Sequence, residues 1–409
     1  MVKNKGKVVA CLDIGTTKLA CVIATVNGNE TTILGYGYRE SRGIVASAIS
    51  DMKLAQKSIT NVVCDAEKMA GFNIDRLIVG LSGAETVSEK KVVKSKITSE
   101  IVKNSDIANL TSSIRAEYKK NNREVIHLIP LQYHIDDSNP VQNPRYMMGE
   151  VLSAKFHIVS TSTTTTRNIE NCLKRCQLSV CNYISEPYSS ALASLSDGEL
   201  NLGTLLIDIG GGDTSFAVIF NNKLVYTGNF AIGGIHITRD IAMILNIDFD
   251  TAETIKNLNN SLSISPIQER EWINLKAYSF DMHNVNEMTK GNLKEIIQSR
   301  LEEILEVVKD KVGKNGYGIF AINNLVITGG VANIIGVDKV AGKIFNKPVT
   351  IGYPHCVSSI PEIFNDPSFC SVLGMLNFIK NIYLKEKIRD GFETKNSFFR
   401  KFVDRLMSI

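Results

Sequence analysis

Residues Lys7 to Lys18 read K-V-V-A-C-L-D-I-G-T-T-K. A short apolar run predicts a buried strand, and it ends in an acid, a glycine, two hydroxyls and a lysine, the residue types that hold a metal-bound phosphate chain. The phrase recurs at Gly203 to Thr214, G-T-L-L-I-D-I-G-G-G-D-T, so Asp13 and Asp208 take the same place in two copies. One such copy alone is an ordinary polar-tipped hairpin. Two copies with aligned aspartates predict two halves that close on one site.

Working outward, each copy is followed by a strand, a tight turn and another strand. The first set is Leu19 to Val26, Asn27-Gly28-Asn29 and Thr31 to Tyr38; the second is Ser215 to Phe220, Asn221-Asn222 and Lys223 to Thr227. A P-loop needs a helix after its glycines and the spacing G-x-x-x-x-G-K-[ST], and neither is present. Here a turn between two strands would meet the phosphates.

In the first half, Ser50 to Gly71 has apolar residues at helical spacing and closes on a glycine cap, and Arg76 to Leu81 predicts a buried strand ending in Ser82-Gly83. From about Thr86 to Phe156 the chain turns rich in Lys and Asn. A helix-like piece at Asp106 to Lys120 and strand-like pieces at Val125 to Ile135 and Val151 to Ile158 predict a small α+β insertion. His127, His134 and His157 alternate with apolar residues, which suits satisfied strand residues better than ligands. Thr161 to Thr166 is expected as the capped lead-in to an amphipathic helix, Arg167 to Leu178. A short strand at Asn182 to Ile184, a break at Glu186-Pro187 and a small-residue helix from Tyr188 to Leu195 follow. Glu186 is a candidate to orient an attacking water, or simply an acid that suits a helix N-terminus.

In the second half, Gly233-Gly234 leads into a helix and Glu253 and Lys256 lie on the next one. That pair suits ribose and phosphate contacts, or an ordinary solvated face. Gly291 to Val312 predicts a long amphipathic helix. Asn324 to Thr328 predicts a strand running into Gly329-Gly330, with a helix from Val331. Ligands in α/β sheets bind at the carboxyl ends of strands, where paired glycines let the backbone approach a base or sugar. A strand at Pro348 to Ile351 and a helix at Ser368 to Leu384, with Gly374 permitting close packing, complete this part.

Composition bounds the rest. With 409 residues and 44% hydrophobic content the chain can bury a large core in two or more domains. A net charge of +4 leaves no global field for nucleic acid. The 8 cysteines include no Cys-x-x-Cys pair and no histidine at zinc spacing, so reduced thiols and a cytoplasmic location are expected. The apolar run Val8 to Leu12 is too short for a secretion signal, and no window reaches transmembrane length. Residues 385–396 are charged and predict a linker. Beyond it, Phe398, Phe399, Phe402, Val403 and Leu406 fall on one side of a helix and Arg400, Lys401 and Arg405 on the other. At roughly 18 Å this helix is too short to span a hydrocarbon core of about 30 Å. Three Phe groups at roughly 1.5–3 kcal/mol each, and basic residues at about 1 kcal/mol each, suffice for reversible anchoring in the interface. A helix docked on the protein's own core is the alternative.

Taken in order, the two Asp-Ile-Gly turns, Glu186 and Gly329-Gly330 resemble the phosphate, connecting and adenosine motifs of the actin-like ATPase superfamily. The fold this implies is α/β, with duplicated ribonuclease H-like halves around a nucleotide cleft. Within the superfamily, E-V-I-H-L-I-P-L-Q-Y (Glu124 to Tyr133), A-K-F-H-I-V (Ala154 to Val159), S-E-P-Y-S-S-A (Ser185 to Ala191), I-G-G-I-H-I-T-R-D-I-A (Ile232 to Ala242) and A-E-T-I-K (Ala252 to Lys256) resemble the FtsA family of bacterial cell-division proteins. The insertion is similar to the subdomain that sets this family apart from other actins, and the last helix to its membrane-targeting sequence. The resemblance implies a first core subdomain at 1–85 and 159–202, the insertion at 86–158, a second core at 203–232 and 319–384, and an outer subdomain at 233–318. It also implies ATP and Mg2+, self-assembly into filaments, the acidic C-terminal tail of FtsZ, anionic lipids on the cytoplasmic face of the inner membrane at the division site, and later division proteins as partners.

Carried over to this chain, Asp13 and Asp208 would hold the magnesium shell. Gly15, Thr16, Thr17, Lys18, Gly210, Gly211 and Gly212, with Asp213 and Thr214 in the same turn, would meet the phosphates. Gly233, Gly234, Glu253, Lys256, Gly329 and Gly330 would enclose the nucleoside, Glu186 would serve at most slow hydrolysis, and Arg300 would meet the FtsZ tail. Where the family usually places threonine after the three glycines, this chain has Asp213, a carboxylate that either joins the magnesium shell or repels the ligand. Two rival readings stay within the superfamily. A small-molecule kinase would need a substrate base, which the sequence lacks beyond Asp208 and Glu186; the other is an ATPase of the pilus-assembly type.

Overall fold

The computed structural model describes residues 7–27, 30–83, 85–274, 287–316, 322–357 and 361–390. The amphipathic stretch 397–409 lies outside them. β1 (Lys7–Ile14), β2 (Lys18–Asn27) and β3 (Glu30–Glu40) form the expected meander, with Asp13 opposite Ala20 across the first hairpin. β4 (Ile44–Val45) and β5 (Ala48–Ile49) make a small hairpin. α1 (Met52–Ala70) starts where the Asp51 carboxylate accepts the N–H groups of Lys53 and Leu54, and it ends at Gly71. β6 (Arg76–Leu81) runs parallel to β1.

The insertion holds β7 (Val87–Lys96), α2 (Asn104–Lys120), β8 (Arg123–Ile135) and β9 (Val151–Ser162). Its antiparallel sheet has the order β7-β9-β8. Next come α3 (Thr163–Arg175), β10 (Ser179–Ser185), α4 (Glu186–Ser194) and α5 (Asp197–Leu202). The second half comprises β11 (Thr204–Ile209), β12 (Thr214–Phe220), β13 (Lys223–Phe230), α6 (Gly234–Leu245), α7 (Phe249–Leu258), α8 (Pro266–Glu269), α9 (Lys290–Lys314), β14 (Asn324–Thr328), α10 (Val337–Phe345), β15 (Val349–Ile351) and α11 (Cys370–Asp390).

Two 5-stranded sheets result, and they match strand for strand: β3-β2-β1-β6-β10 in the first half, β13-β12-β11-β14-β15 in the second. In each, an antiparallel meander supplies three strands and two parallel strands extend it. The first sheet is apolar on both faces because both are covered. Leu12, Leu19, Cys21 and Ile23 pack with Ile59, Val62 and Ala66 of α1, while Val9, Cys11, Ala20 and Val22 pack with Val372, Leu373 and Leu376 of α11. Thus a helix from the far end of the chain roofs the first strands. Gly374 makes this possible: a Cβ there would sit inside contact distance of the Ser189 carbonyl in α4.

Several local expectations change. Glu186-Pro187 is the first turn of α4, not a break, since proline at the start of a helix forfeits no bond the helix would make. Thr163 to Thr166 form the first turn of α3, whose cap is the Ser162 hydroxyl. After Gly329 comes a short 3-10 turn, Gly330–Asn333, and the helix waits until Val337. α11 continues past Leu384 to Asp390, into the stretch expected as a linker.

Candidate functional site

Both Asp-Ile-Gly sequences end a strand that is hydrogen-bonded into the middle of a sheet, so each aspartate emerges at a fixed strand end. The turns that follow are built alike: the Gly15 N–H donates to the Lys18 carbonyl at 3.1 Å, and the Gly210 N–H to the Asp213 carbonyl at 3.0 Å. The turns also meet. A Cβ on Gly211 would lie 2.5 Å from Thr17 Oγ1, and one on Gly212 would lie 2.6 Å from Thr16 Cβ. Only glycines let the two halves come this close.

Beneath this contact lies a cavity of about 260 Å³. Of the expected residues, Asp13, Gly15, Thr16, Thr17, Lys18, Glu186, Asp208, Gly210, Gly211, Asp213, Gly329 and Gly330 line it. Its walls come from both halves, and so do the bonds that hold its acids. Ser82 Oγ at the end of β6 donates to Asp213 Oδ2 at 2.5 Å, and Ser190 Oγ of α4 donates to Asp208 Oδ2 at 2.6 Å. Burial, together with the neighbouring carboxylates, raises Asp13 to about 7 despite the opposing pull of Lys18. Burial raises Asp208 to about 6, and it drives Glu186 well above the usual carboxylate range.

Lys18 lines the cavity with its ammonium already engaged. Its Nζ donates to both the carbonyl and the hydroxyl of Ser368, each at 2.7 Å, and stands 3.4 Å from the centre of the Phe369 ring. Burial lowers it to about 8. The ammonium is therefore parked on the segment that starts α11.

Other expected residues stand apart from the cavity. The Thr214 hydroxyl is spent on the Ile232 carbonyl at 2.7 Å. Gly212 packs on Thr16. Gly233 and Gly234 brace the second turn from behind, because the N–H groups of Gly234 and Ile235 donate to the carbonyls of Gly210 and Gly211. Glu253 and Lys256 pair with each other at 2.6 Å, and both bond the Thr238 hydroxyl on α6. Arg300, on α9, is not a free cation. Asp240 of α6 accepts from its Nε at 2.7 Å and its Nη2 at 2.9 Å, and Glu303 takes a further contact.

Ser47, Ser82, Ser190, Ser368 and Ser371 were not singled out by the sequence. A strand ending in Ser82-Gly83 was a usable signal; Ser368 carried none. The three histidines of the insertion are satisfied, as expected: His127 accepts from the Ser185 N–H, His157 bonds the Leu224 carbonyl and Ser88 Oγ, and His134 bonds the Ser138 carbonyl. All 8 cysteines are free thiols. Among the described residues, no helix is long and apolar enough to cross a membrane.

Comparisons with known proteins agree with this architecture. A family model described as cell division protein FtsA matches residues 205–374, and one described as the SHS2 domain inserted in FtsA matches residues 83–160. The cell division protein FtsA of Borreliella burgdorferi is 30% identical over 396 residues, covering 94% of this chain and 96% of that protein. The one from Pseudomonas aeruginosa is 29% identical, covering 95% and 92%. Among solved structures, a PilM-PilN type IV pilus biogenesis complex superimposes with a TM-score of 0.63 at 16% identity, covering 91% of this chain and 98% of that one. MreB5 of Spiroplasma citri bound to ADP gives 0.54 at 16% identity, covering 94% and 99%. At such identities these likenesses speak to the fold alone, which is that of the actin-like ATPases, with an SHS2 insertion in the first half. The Borreliella burgdorferi relative, 30% identical over nearly the full length of both proteins, places the chain in the FtsA family of cell division proteins.

Proposed function

We propose that this chain binds ATP with Mg2+, assembles into filaments, and tethers the acidic tail of FtsZ to the cytoplasmic face of the inner membrane through residues 397–409. The observation that carries the nucleotide part is the pair of Asp-Ile-Gly turns closed over one cavity. Its lining fits such a ligand. Among the described residues, Thr16 Oγ1, Ser47 Oγ, Glu186 Oε1 and Ser371 Oγ are buried without a hydrogen-bond partner, and buried polar atoms left so call for one.

Asp13 and Asp208 would hold the ion through its water shell, Thr16, Thr17 and the backbone of the two turns would hold phosphates, and Gly329-Gly330 would pass under the nucleoside. A bound Mg2+ supplies charge neutralisation for the phosphates. Glu186, buried with Oε1 left without a partner among the described residues, would orient a water by hydrogen bonding.

The FtsZ tail is assigned to the face of α9 that carries Arg300. Because Arg300 is engaged, an acidic tail must compete for it, and the more exposed Glu303 is the easier partner to displace. Glu303→Gln is expected to tighten tail-peptide binding a few-fold and Arg300→Gln to weaken it about tenfold, read by fluorescence anisotropy. Unchanged affinity in both variants removes this site. The whole reading is tested by floating FtsZ on anionic liposomes. The full chain with ATP and Mg2+ should carry FtsZ to the top of the gradient, and a chain that leaves it at the bottom contradicts the proposal.

A further inference from the structure

The cavity is built with an excess of acid that the paired turns do not require. Asp13, Glu186, Asp208 and Asp213 all line it, and the one cationic side chain in the lining, Lys18, spends its ammonium on Ser368. Asp213 is the acid that the resemblance does not explain. It is held in place from the other half of the molecule: Ser82 Oγ donates to its Oδ2 at 2.5 Å, while its main-chain carbonyl closes the turn on the Gly210 N–H. The carboxylate is thus fixed at the cavity wall and does not swing to solvent.

Three side chains point to what this acid serves. Ser47, Glu186 and Ser371 are 6%, 9% and 7% exposed, and each lines the cavity and has a buried oxygen with no partner among the described residues. Carboxylates and hydroxyls without partners are what the water shell of a hydrated cation hydrogen-bonds to. Among the described residues no group of three or more acids, histidines or cysteines is placed to hold an ion by itself. A cation held through water and completed by phosphates, the habit of Mg2+, fits both observations.

We propose that Asp213 makes this site selective for nucleotide carried with a divalent cation and excludes the metal-free form. The inference rests on the nucleotide-binding reading above. A polyphosphate arriving alone meets an acid-lined wall and a lysine turned aside, and the Asp213 carboxylate, fixed by Ser82, then faces phosphate oxygens in a buried space where water screens little. Arriving with its cation, it supplies the charge that the acids are arranged around. Removing the charge of Asp213 while keeping an acceptor for Ser82 relaxes this demand, so the metal-free nucleotide should gain most.

Isothermal calorimetry with ATP, in Mg2+ and in EDTA, measures the effect on the intact chain. The wild type should lose affinity on the order of 100-fold in EDTA, and Asp213→Asn should narrow that ratio to about tenfold or less. Asp213→Thr should behave like Asp213→Asn, and melting temperatures of both variants report that they are folded. A wild type that binds ATP equally well in EDTA overturns the inference and leaves nucleotide binding intact, as does an Asp213→Asn variant with an unchanged ratio. If no protein binds ATP even with Mg2+, the nucleotide-binding reading itself falls, and this inference with it.

Discussion

Gly329 holds its backbone at φ 87, and a Cβ there would lie 2.6 Å from the Ile209 carbonyl and within clash distance of Asp208 Oδ1. Both costs act at once, so Gly329→Ala should lower stability by roughly 1–3 kcal/mol and displace Asp208. Urea unfolding measures the first effect, and a midpoint equal to the wild type's would show that the turn relaxes freely. Gly329 and the two Asp-Ile-Gly turns were legible in the sequence because their chemistry is local: strand, acid and glycine are consecutive. The hydroxyls that hold the acids were not. The bond from Ser82 to Asp213 spans 131 positions and that from Lys18 to Ser368 spans 350. No periodicity reports such pairs, because they exist only once distant parts of the chain are folded together.

The insertion shows what elements reveal and conceal. α2, β8 and β9 follow from helical spacing and alternation, whereas β7, V-S-E-K-K-V-V-K-S-K, buries no residue fully and alternates only between half-buried and exposed. As an edge strand rich in lysine, it has the pattern that discourages pairing with other chains, and that pattern hides it from a hydrophobicity reading. α5 was missed although Ser196 and Glu199 spell a capping box. The insertion is docked on β13 through His157, whose Nδ1 lies 2.8 Å from the Leu224 carbonyl and whose Nε2 lies 2.7 Å from Ser88 Oγ. Lys223 adds bonds to the carbonyls of Pro130 and Leu131. Burial lowers His157 to about 4 from an ordinary 6.5. Between those values the unfolded chain binds the proton and the folded one does not, so stability falls as pH drops through this window and the loss is complete below it. His157→Gln should flatten the acid side of the stability profile by at most about 1.4 kcal/mol per pH unit. His127, lowered to about 3 by burial, leaves a residual slope. Matching profiles of wild type and variant from pH 7 to 4 would show that docking is not linked to this proton.

At the scale of the whole molecule, the two halves share one topology but not one boundary, because α11 belongs to the end of the chain and completes the core of its beginning. Val372, Leu373, Met375, Leu376 and Ile379 are all buried in the cluster that covers β1 and β2. Losing them forfeits roughly 1.5–3 kcal/mol apiece, a sum that reaches the entire 5–15 kcal/mol by which a typical domain is stable. In sequence, α11 ends at Asp390, shortly before the stretch assigned to the membrane. Two truncations separate these roles. A chain ending at residue 369 should fail to fold, seen as loss of cooperative melting. A chain ending at residue 396 should keep the melting temperature and ATP affinity of the full chain and lose flotation with anionic liposomes, with Phe399→Glu combined with Phe402→Glu reproducing that loss at full length. A lowered melting temperature on removing 397–409 would mean that this segment docks on the protein's own core. Unchanged flotation after the same deletion would place membrane contact elsewhere on the molecule.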